Sequence, residues 1–242
     1  VNHIDLSAAA SHGITVSNTP GVLTDATADL TLTLMLMLCR RAGEGERELR
    51  AGEWSGWRPT HLVGQQMTGK TLGIIGMGRI GRAVAHRAHF GFGMEIVFQN
   101  RSSVDDGAGV GGRQLASVAE VCAASDFVSL HCAATPETRH ILGRDALAAM
   151  SPSAYVINTA RGDVVDEDAL VAALESGAIG GVGLDVFQGE PKVSPAIMAA
   201  PNTVLLPHLG SATEETRVAM GMKVVENARA FAMGEVLPDK VG

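Results

Sequence analysis

The chain has 242 residues, 46% of them hydrophobic and 19% charged, with 29 glycines. That length suits one large domain or two smaller ones, and that composition suits a globular α/β protein with a sizeable core. A formal charge of −7 argues against nonspecific nucleic-acid binding and against an anionic membrane surface, so any cation that holds an anionic ligand is a local one.

Residues 13–19 read as a strand closed by Pro20-Gly21, and Thr24 or Asp25 is placed to cap a helix running to about Arg41. The apolar run from Leu30 to Leu38 is too short to span a bilayer and predicts a helix buried on all sides, lodged between domains or at a subunit interface. Residues 43–68 are polar and irregular and carry both tryptophans, Trp54 and Trp57. They read either as an arm at an interface or as a loop packing its own aromatics. From Lys70 onward strands (71–75, 94–98, 127–131, 154–158, 181–186, 203–206) alternate with helices (near 79–89, 116–123, 144–149, 166–176 and 213–232). That alternation predicts a doubly wound parallel sheet of the Rossmann type, with ligands outside the carboxyl ends of its strands. Residues 102–112 read as a loose surface loop, and the final helix reads as leaving this domain to pack elsewhere. The three cysteines, Cys39, Cys122 and Cys132, lack any CxxC spacing and read as small core hydrophobes in a reducing cytoplasm; no metal site is expected. No secretory leader pattern opens the chain, and Val1-Asn2-His3 without an initiator Met reads as a cut start.

Gly76-Met77-Gly78-Arg79-Ile80-Gly81 follows the first strand of that series and opens a helix. In this G-x-G-x-x-G spacing the first glycine permits a tight turn and the second lets backbone approach a pyrophosphate. The third lets the helix pack closely on the strand, whose following helix N-terminus faces the anion. At the end of the next strand an NAD site places an acid for the ribose 2′-OH. Here the sequence is Gln99-Asn100-Arg101-Ser102, with no acid. Arg101 and Ser102 could hold a 2′-phosphate, favouring NADP(H) over NAD(H); the alternative is that Asn100 bonds the ribose of NAD.

Three polar residues follow strand ends on the ligand edge: Arg161, Glu190 and His208. A guanidinium fork can hold a carboxylate, a histidine can carry a proton near neutral pH, and an acid beside that histidine favours its charged form. Each also has a plain alternative. Arg161 could bond Asp163 or strand-end carbonyls, Glu190 could be a solvated loop acid, and His208 a satisfied turn histidine. Asp185, inside the apolar run from Val182 to Phe187, needs partners, and a nicotinamide carboxamide is one candidate. His131 reads as core or rim packing, and His86 and His89 as surface.

Four segments in this order closely resemble the D-2-hydroxyacid dehydrogenase family: Gly76–Gly81, Asn158-Thr-Ala-Arg-Gly-Asp-Val-Val-Asp166, Gly183-Leu-Asp-Val-Phe-Gln-Gly-Glu-Pro191 and Leu206-Pro-His-Leu-Gly-Ser-Ala-Thr213. Val22–Asp29 and Gly52–Trp57 look like its glyoxylate/hydroxypyruvate reductase branch. The resemblance implies hydride transfer from NAD(P)H to a small 2-keto acid in a cytoplasmic homodimer, with neither nucleic-acid nor membrane partners. It places Arg161 on the substrate carboxylate and keto oxygen, His208 as acid/base and Glu190 as its partner. Met77 to Ile80 would meet the pyrophosphate and Asn100 to Ser102 the ribose. Thr159, Ala160, Asp185 and the His208–Gly210 segment would line the nicotinamide end. Residues 22–211 would form the dinucleotide domain, with a dimerisation arm at about 43–68. Residues 1–21 and 212–242 would be remnants of a smaller flavodoxin-like substrate domain. Relatives acting on formate, D-lactate or 3-phosphoglycerate, and nucleotide-sensing corepressors, share these motifs. Two departures stand out: His131-Cys132-Ala133 lacks the family's usual proline, and the N-terminal loop that grips the substrate carboxylate in relatives precedes the first residue here. A chain without that loop is expected to bind cofactor yet turn over poorly.

Overall fold

A computed structural model describes residues 4–241, the side chain of Asp106 excepted. Val1-Asn2-His3, with which the chain opens, lies outside the described residues. Strands β2 (Thr71–Ile75), β3 (Glu95–Gln99), β4 (Arg113–Gln114), β5 (Phe127–Leu130), β6 (Tyr155–Asn158), β7 (Gly181–Leu184) and β8 (Thr203–Leu205) form one sheet in the order β4-β3-β2-β5-β6-β7-β8. Every pairing is parallel. The chain starts in the middle of the sheet, works to one edge through β4, then returns beside β2 with β5 and builds to the other edge. The reversal between β2 and β5 is the point where open α/β sheets hold their ligands.

Alternation along each strand divides the core in two. Leu72 and Ile74 face helices α2 (Thr24–Cys39) and α4 (Arg79–Phe92), together with Phe98 and Ile157. Ile75, Val128 and Val156 face the opposite layer of α5 (Val118–Ala123), α6 (Arg144–Ala148), α7 (Glu167–Glu175) and α8 (Pro195–Ala199). With both faces covered, the central strands β2, β5, β6 and β7 are buried almost throughout rather than alternating, as parallel sheets require, whereas the edge strand β4 is exposed. Two glycines set close approaches. A Cβ on Gly73 would stand 2.6 Å from Val121 Cγ1, and one on Gly183 would stand 3.1 Å from Leu34 Cβ, so α5 and α2 lie directly on the sheet.

Several sequence expectations are corrected. Helix α2 is not buried on all sides: Asp25, Asp29, Thr33, Leu36 and Arg40 form an exposed stripe at helical spacing. Its N-cap is Leu23 with no side-chain bond, while the Thr24 hydroxyl donates back to the Gly21 carbonyl. The arm at 43–68 is not irregular throughout, because Ala42–Arg50 is a helix, α3, carrying Arg41–Glu44 and Glu46–Arg50 pairs at its ends. The loop at 102–112 contains a 3-10 turn at Asp105–Gly109 and leads into the edge strand β4. Strand 13–19 shrinks to β1 (Val16–Ser17). It pairs antiparallel with β9 (Lys240–Val241), apart from the main sheet. Helix α1 (Leu6–Ser11), capped by Asp5 on the Ala8 N–H, adjoins it. Helix α9 (Glu214–Ala232) keeps only Thr216, Asn227 and Ala230 fully buried, and exposes Val218, Met222, Val225 and Phe231. Among the described residues no helix is long and apolar enough to cross a membrane.

Candidate active site

The glycine turn stands at the carboxyl end of β2. Gly76 has φ +98°, and a Cβ there would stand 2.7 Å from the Cys132 amide nitrogen, so only glycine lets the turn lie against the end of β5. A Cβ on Gly81 would stand 2.4 Å from the Gly76 carbonyl oxygen, which explains the third glycine as helix-on-turn packing. Gly78 is different: a Cβ there meets nothing within 4 Å. It caps α4 without any side-chain bond, leaving the first N–H groups of that helix for an anion. The protein's own packing does not require glycine at 78, and space beside an open helix N-terminus fits a dinucleotide pyrophosphate.

The loop after β3 is tied to this turn. Asn100 Oδ1 accepts the Met77 N–H at 3.2 Å, and its Nδ2 donates to the Ser102 carbonyl and hydroxyl, both at 3.1 Å. Gln114 Nε2 donates to the carbonyls of Asn100 and Ser102, each at 3.1 Å. Asn100 therefore spends its side chain on shaping the loop, while Arg101 and Ser102 stand exposed beside it. No carboxylate lies in the loop before Asp105.

The three chemical candidates gather at the ends of β6, β7 and β8. His208 Nδ1 and Glu190 Oε2 are 2.7 Å apart, and His208 Nε2 has no partner among the described residues. Burial pushes the Glu190 carboxyl up, but the His208 contact, the Phe187 N–H on its Oε1 (2.8 Å) and the nearby Arg161 charge outweigh it, leaving it below its ordinary value. Arg161 is exposed and spends one N–H, from Nη1, on the Ala160 carbonyl at 2.6 Å; its other donors have no partner among the described residues. Asn158 fixes the backbone beneath it, donating to the Arg161 carbonyl at 2.8 Å and accepting the Ala160 N–H at 2.9 Å. An imidazole with one free nitrogen, a paired carboxylate and a guanidinium with donors to spare thus line one edge of the sheet.

Asp185 has partners inside the chain rather than a pressing need for a ligand. It is 1% exposed, and its carboxylate accepts the Leu209 N–H at 2.6 Å and the Gly210 N–H at 2.8 Å. Its own carbonyl accepts the His208 N–H at 3.0 Å. Burial raises its pKa against those two amide bonds. His208 itself sits at φ +56°, a left-handed conformation uncommon outside glycine. Asp185 imposes it from below, and Thr27 from α2 completes the grip by donating to the Gly210 carbonyl at 2.9 Å. The Thr159 hydroxyl likewise turns to α2, lying 3.0 Å from that of Thr31. Thr27 and Thr31 went unnoticed in the sequence, although two threonines four apart on an apolar helix are the signal that marks them.

His131 sits at the end of β5 with Nε2 2.8 Å from Ser129 Oγ, and burial pushes its imidazole down to about 3. It stays neutral at the rim. Cys39 and Cys122 are buried as expected, and burial raises the thiol of Cys122 to about 12; Cys132 is half-buried. Among the described residues no cluster of His, Cys, Asp and Glu is placed to hold a metal ion.

The sheet order, the glycine turn at its switch point and the polar edge together define a nicotinamide-dependent oxidoreductase of the Rossmann class. The sequence model described as D-isomer specific 2-hydroxyacid dehydrogenase, NAD binding domain, matches residues 32–210. The chain is 46% identical to the glyoxylate reductase of Thermococcus litoralis over 244 aligned residues, covering 99% of this chain and 73% of that protein. It superposes with a TM-score of 0.89 on a glyoxylate reductase from Paecilomyes thermophila, at 44% identity and covering 99% of this chain and 72% of that one. It superposes at 0.92 on an NADPH-dependent glyoxylate/hydroxypyruvate reductase from Sinorhizobium meliloti in complex with NADP and malonate, at 38% identity and covering 100% and 75%. The chain belongs to the D-isomer-specific 2-hydroxyacid dehydrogenase family. It is an NAD(P)-dependent enzyme that interconverts a 2-keto acid and a 2-hydroxy acid.

Proposed function

We propose that this chain reduces glyoxylate and hydroxypyruvate, with NADPH preferred over NADH. The observation that carries the reading is the His208–Glu190 pair at 2.7 Å, with the second imidazole nitrogen free on the edge where the glycine turn also lies. The cofactor, when bound, supplies the hydride. His208 delivers the proton to the keto oxygen, and Glu190 holds the ring by Nδ1 and balances the imidazolium. Arg161 binds the substrate carboxylate and polarises the carbonyl with its unused donors. Gly76, Met77, Gly78, Arg79, Ile80 and Gly81 take the pyrophosphate. Thr159, Ala160, Asp185 and Gly210 shape the wall at the nicotinamide end. Exposed Arg101 and Ser102, with no acid beside them, support the NADP preference, as does the NADP carried by the Sinorhizobium meliloti protein.

Residues 22–211 form the dinucleotide domain, and 1–21 with 212–242 belong to a smaller substrate domain. The separate β1–β9 pair and the uncovered apolar side of α9 support that division. The molecule works as a cytoplasmic homodimer through the arm at 43–68. Trp57 is 82% exposed there, and Glu44, Arg47, Val63 and Gln65 of the same arm line a groove of about 970 Å³ between α2, α3 and the β8 edge.

Purified protein mixed with NADPH or NADH and a panel of 2-keto acids tests this by absorbance of the reduced nicotinamide. Glyoxylate and hydroxypyruvate should be turned over best with NADPH, and His208→Ala should slow the reaction on the order of a hundredfold to ten-thousandfold. Faster turnover of pyruvate or another larger keto acid would overturn the substrate assignment. Gel filtration giving a monomer at micromolar concentration would overturn the dimer.

A further inference from the structure

One buried acid has no part in the chemistry above. Glu167 opens α7 and is 8% exposed, on the layer beneath the loops that carry Arg161 and Glu190. Its Oε1 accepts the Gln188 N–H at 2.6 Å. The Gln188 side chain is anchored in turn: its Nε2 donates to the Val165 carbonyl at 2.6 Å and lies 2.9 Å from His140 Nε2. On its other side the same peptide unit presses on Gly162, where a Cβ would stand 2.0 Å from the Phe187 carbonyl carbon and 2.3 Å from the Gln188 nitrogen. The turn that follows carries Glu190, whose Oε1 accepts the Phe187 N–H at 2.8 Å while Oε2 meets His208. The peptide between Phe187 and Gln188 is therefore held by Glu167 and packed on Gly162, the Gln188 side chain is anchored beside it, and the acid that holds the histidine bonds the N–H of the peptide just before it.

We propose that Glu167 is a positioning residue, which fixes through the Gln188 amide the turn from which Glu190 holds His208. The role rests on the assignment of His208 as the proton carrier. A carboxylate inside the protein is costly unless it is fully used. Burial does push the Glu167 carboxyl up, opposed by the Gln188 N–H, with Asp168 and Asp163 adding to the rise. An apolar side chain would fill the same space at the start of α7 without that cost. What it could not do is hold the N–H of Gln188 at one place, and with it the tether of Glu190.

The test compares Glu167→Ala, which removes the acceptor, Glu167→Gln, whose amide oxygen can still accept the Gln188 N–H, and Glu167→Asp, which withdraws the carboxylate by one methylene. Two readouts are taken on protein whose circular dichroism matches the wild type. The first is nitrogen NMR of histidine-labelled protein, with the His208 ring signals assigned by their loss in His208→Gln. The second is kcat and KM with the best keto acid. Glu167→Ala and Glu167→Asp should move the His208 ring signals and lower kcat on the order of tenfold to a hundredfold, with cofactor affinity held. Glu167→Gln should restore both towards wild type. In a Glu190→Ala background, which removes both the acceptor of the Phe187 N–H and the partner of His208, Glu167→Ala should cost little further. Should the alanine variant not fold, the aspartate variant carries the comparison. Ring signals unchanged in Glu167→Ala or Glu167→Asp, or losses that simply multiply with Glu190→Ala, would overturn the proposal. If wild-type protein turns over no keto acid, the functional reading fails, while the ring signals still decide whether Glu167 positions His208.

Discussion

His131 follows β5 and His208 follows β8 on the same edge of the sheet, and the protonation of the first can be measured through stability. His131 is held neutral because burial pushes it from an ordinary 6.5 to about 3. Its folded pKa lies below its unfolded value, so the unfolded chain binds the extra proton. The stability this neutral ring preserves is fully present above about pH 6.5 and is lost as pH falls towards 3. At pH 5, about 1.5 pH units below the unfolded value, the loss is at most about 2 kcal/mol. For a chain of this size that corresponds to a fall in Tm of about 4–8 °C. The perturbation is His131→Gln, which keeps a polar atom for the Ser129 hydroxyl and cannot titrate. Urea unfolding of both proteins at pH 7.5 and pH 5 supplies the double difference. The other histidines and the carboxylates with lowered values (Glu44, Glu137, Glu190, Asp239) are common to both chains and cancel. The wild type should lose about 2 kcal/mol more than the variant across that interval. Parallel losses, or an NMR titration placing His131 near 6.5, would refute the account of a neutral rim histidine.

Gly78→Ala should leave urea stability within about 1 kcal/mol of wild type and raise the cofactor Kd, because the added methyl meets only the space proposed for the pyrophosphate. Gly81→Ala, driven against the Gly76 carbonyl, should cost about 1–3 kcal/mol in the same assay. Asp185→Asn would set an NH₂ group against the Leu209 or Gly210 N–H. It should lower stability by about 1–3 kcal/mol and reduce kcat as the left-handed His208 relaxes. Arg101→Asp should move the ratio of kcat/KM for NADPH over NADH down by about tenfold to a hundredfold, the worth of one charged hydrogen bond.

How much of this could be read from the chain depends on the range over which each signal acts. The glycine turn was legible because its three constraints are local: a positive φ, an open approach and a close helix contact each leave glycine as the residue of choice within six positions. The buried strands were legible because a sheet covered on both faces needs unbroken apolar runs. Helix α3 was hidden by Gly43 and Gly45, which weaken helix propensity; charge pairs at its ends and the Glu48–His61 contact hold it nonetheless. Strands β4 and β9 are two residues each and exist only through partners distant in the chain. Helices α1 and α8 carried readable signs, Asp5 as a cap and Pro195 at the first turn, but both are too short to show a periodic face.

The site divides along the same line. Arg161, Glu190 and His208 could be singled out because each follows a strand end, a position that topology alone makes significant. What holds them in place could not, because it is made of backbone groups: two amides for Asp185, one for Glu190 and one for Glu167. Asp185 shows the consequence. The sequence correctly demanded partners for a carboxylate in an apolar run, and a ligand was the partner it could imagine. The fold supplied the N–H groups of the loop that bears His208 instead, so that the burial cost of one acid goes into fixing the left-handed geometry of His208. Asn100 repeats the pattern, a polar side chain expected to face the ribose and found shaping the turn through Met77. In both places the polar side chain singled out in the sequence is occupied with holding backbone, the His208 loop in one case and the glycine turn in the other.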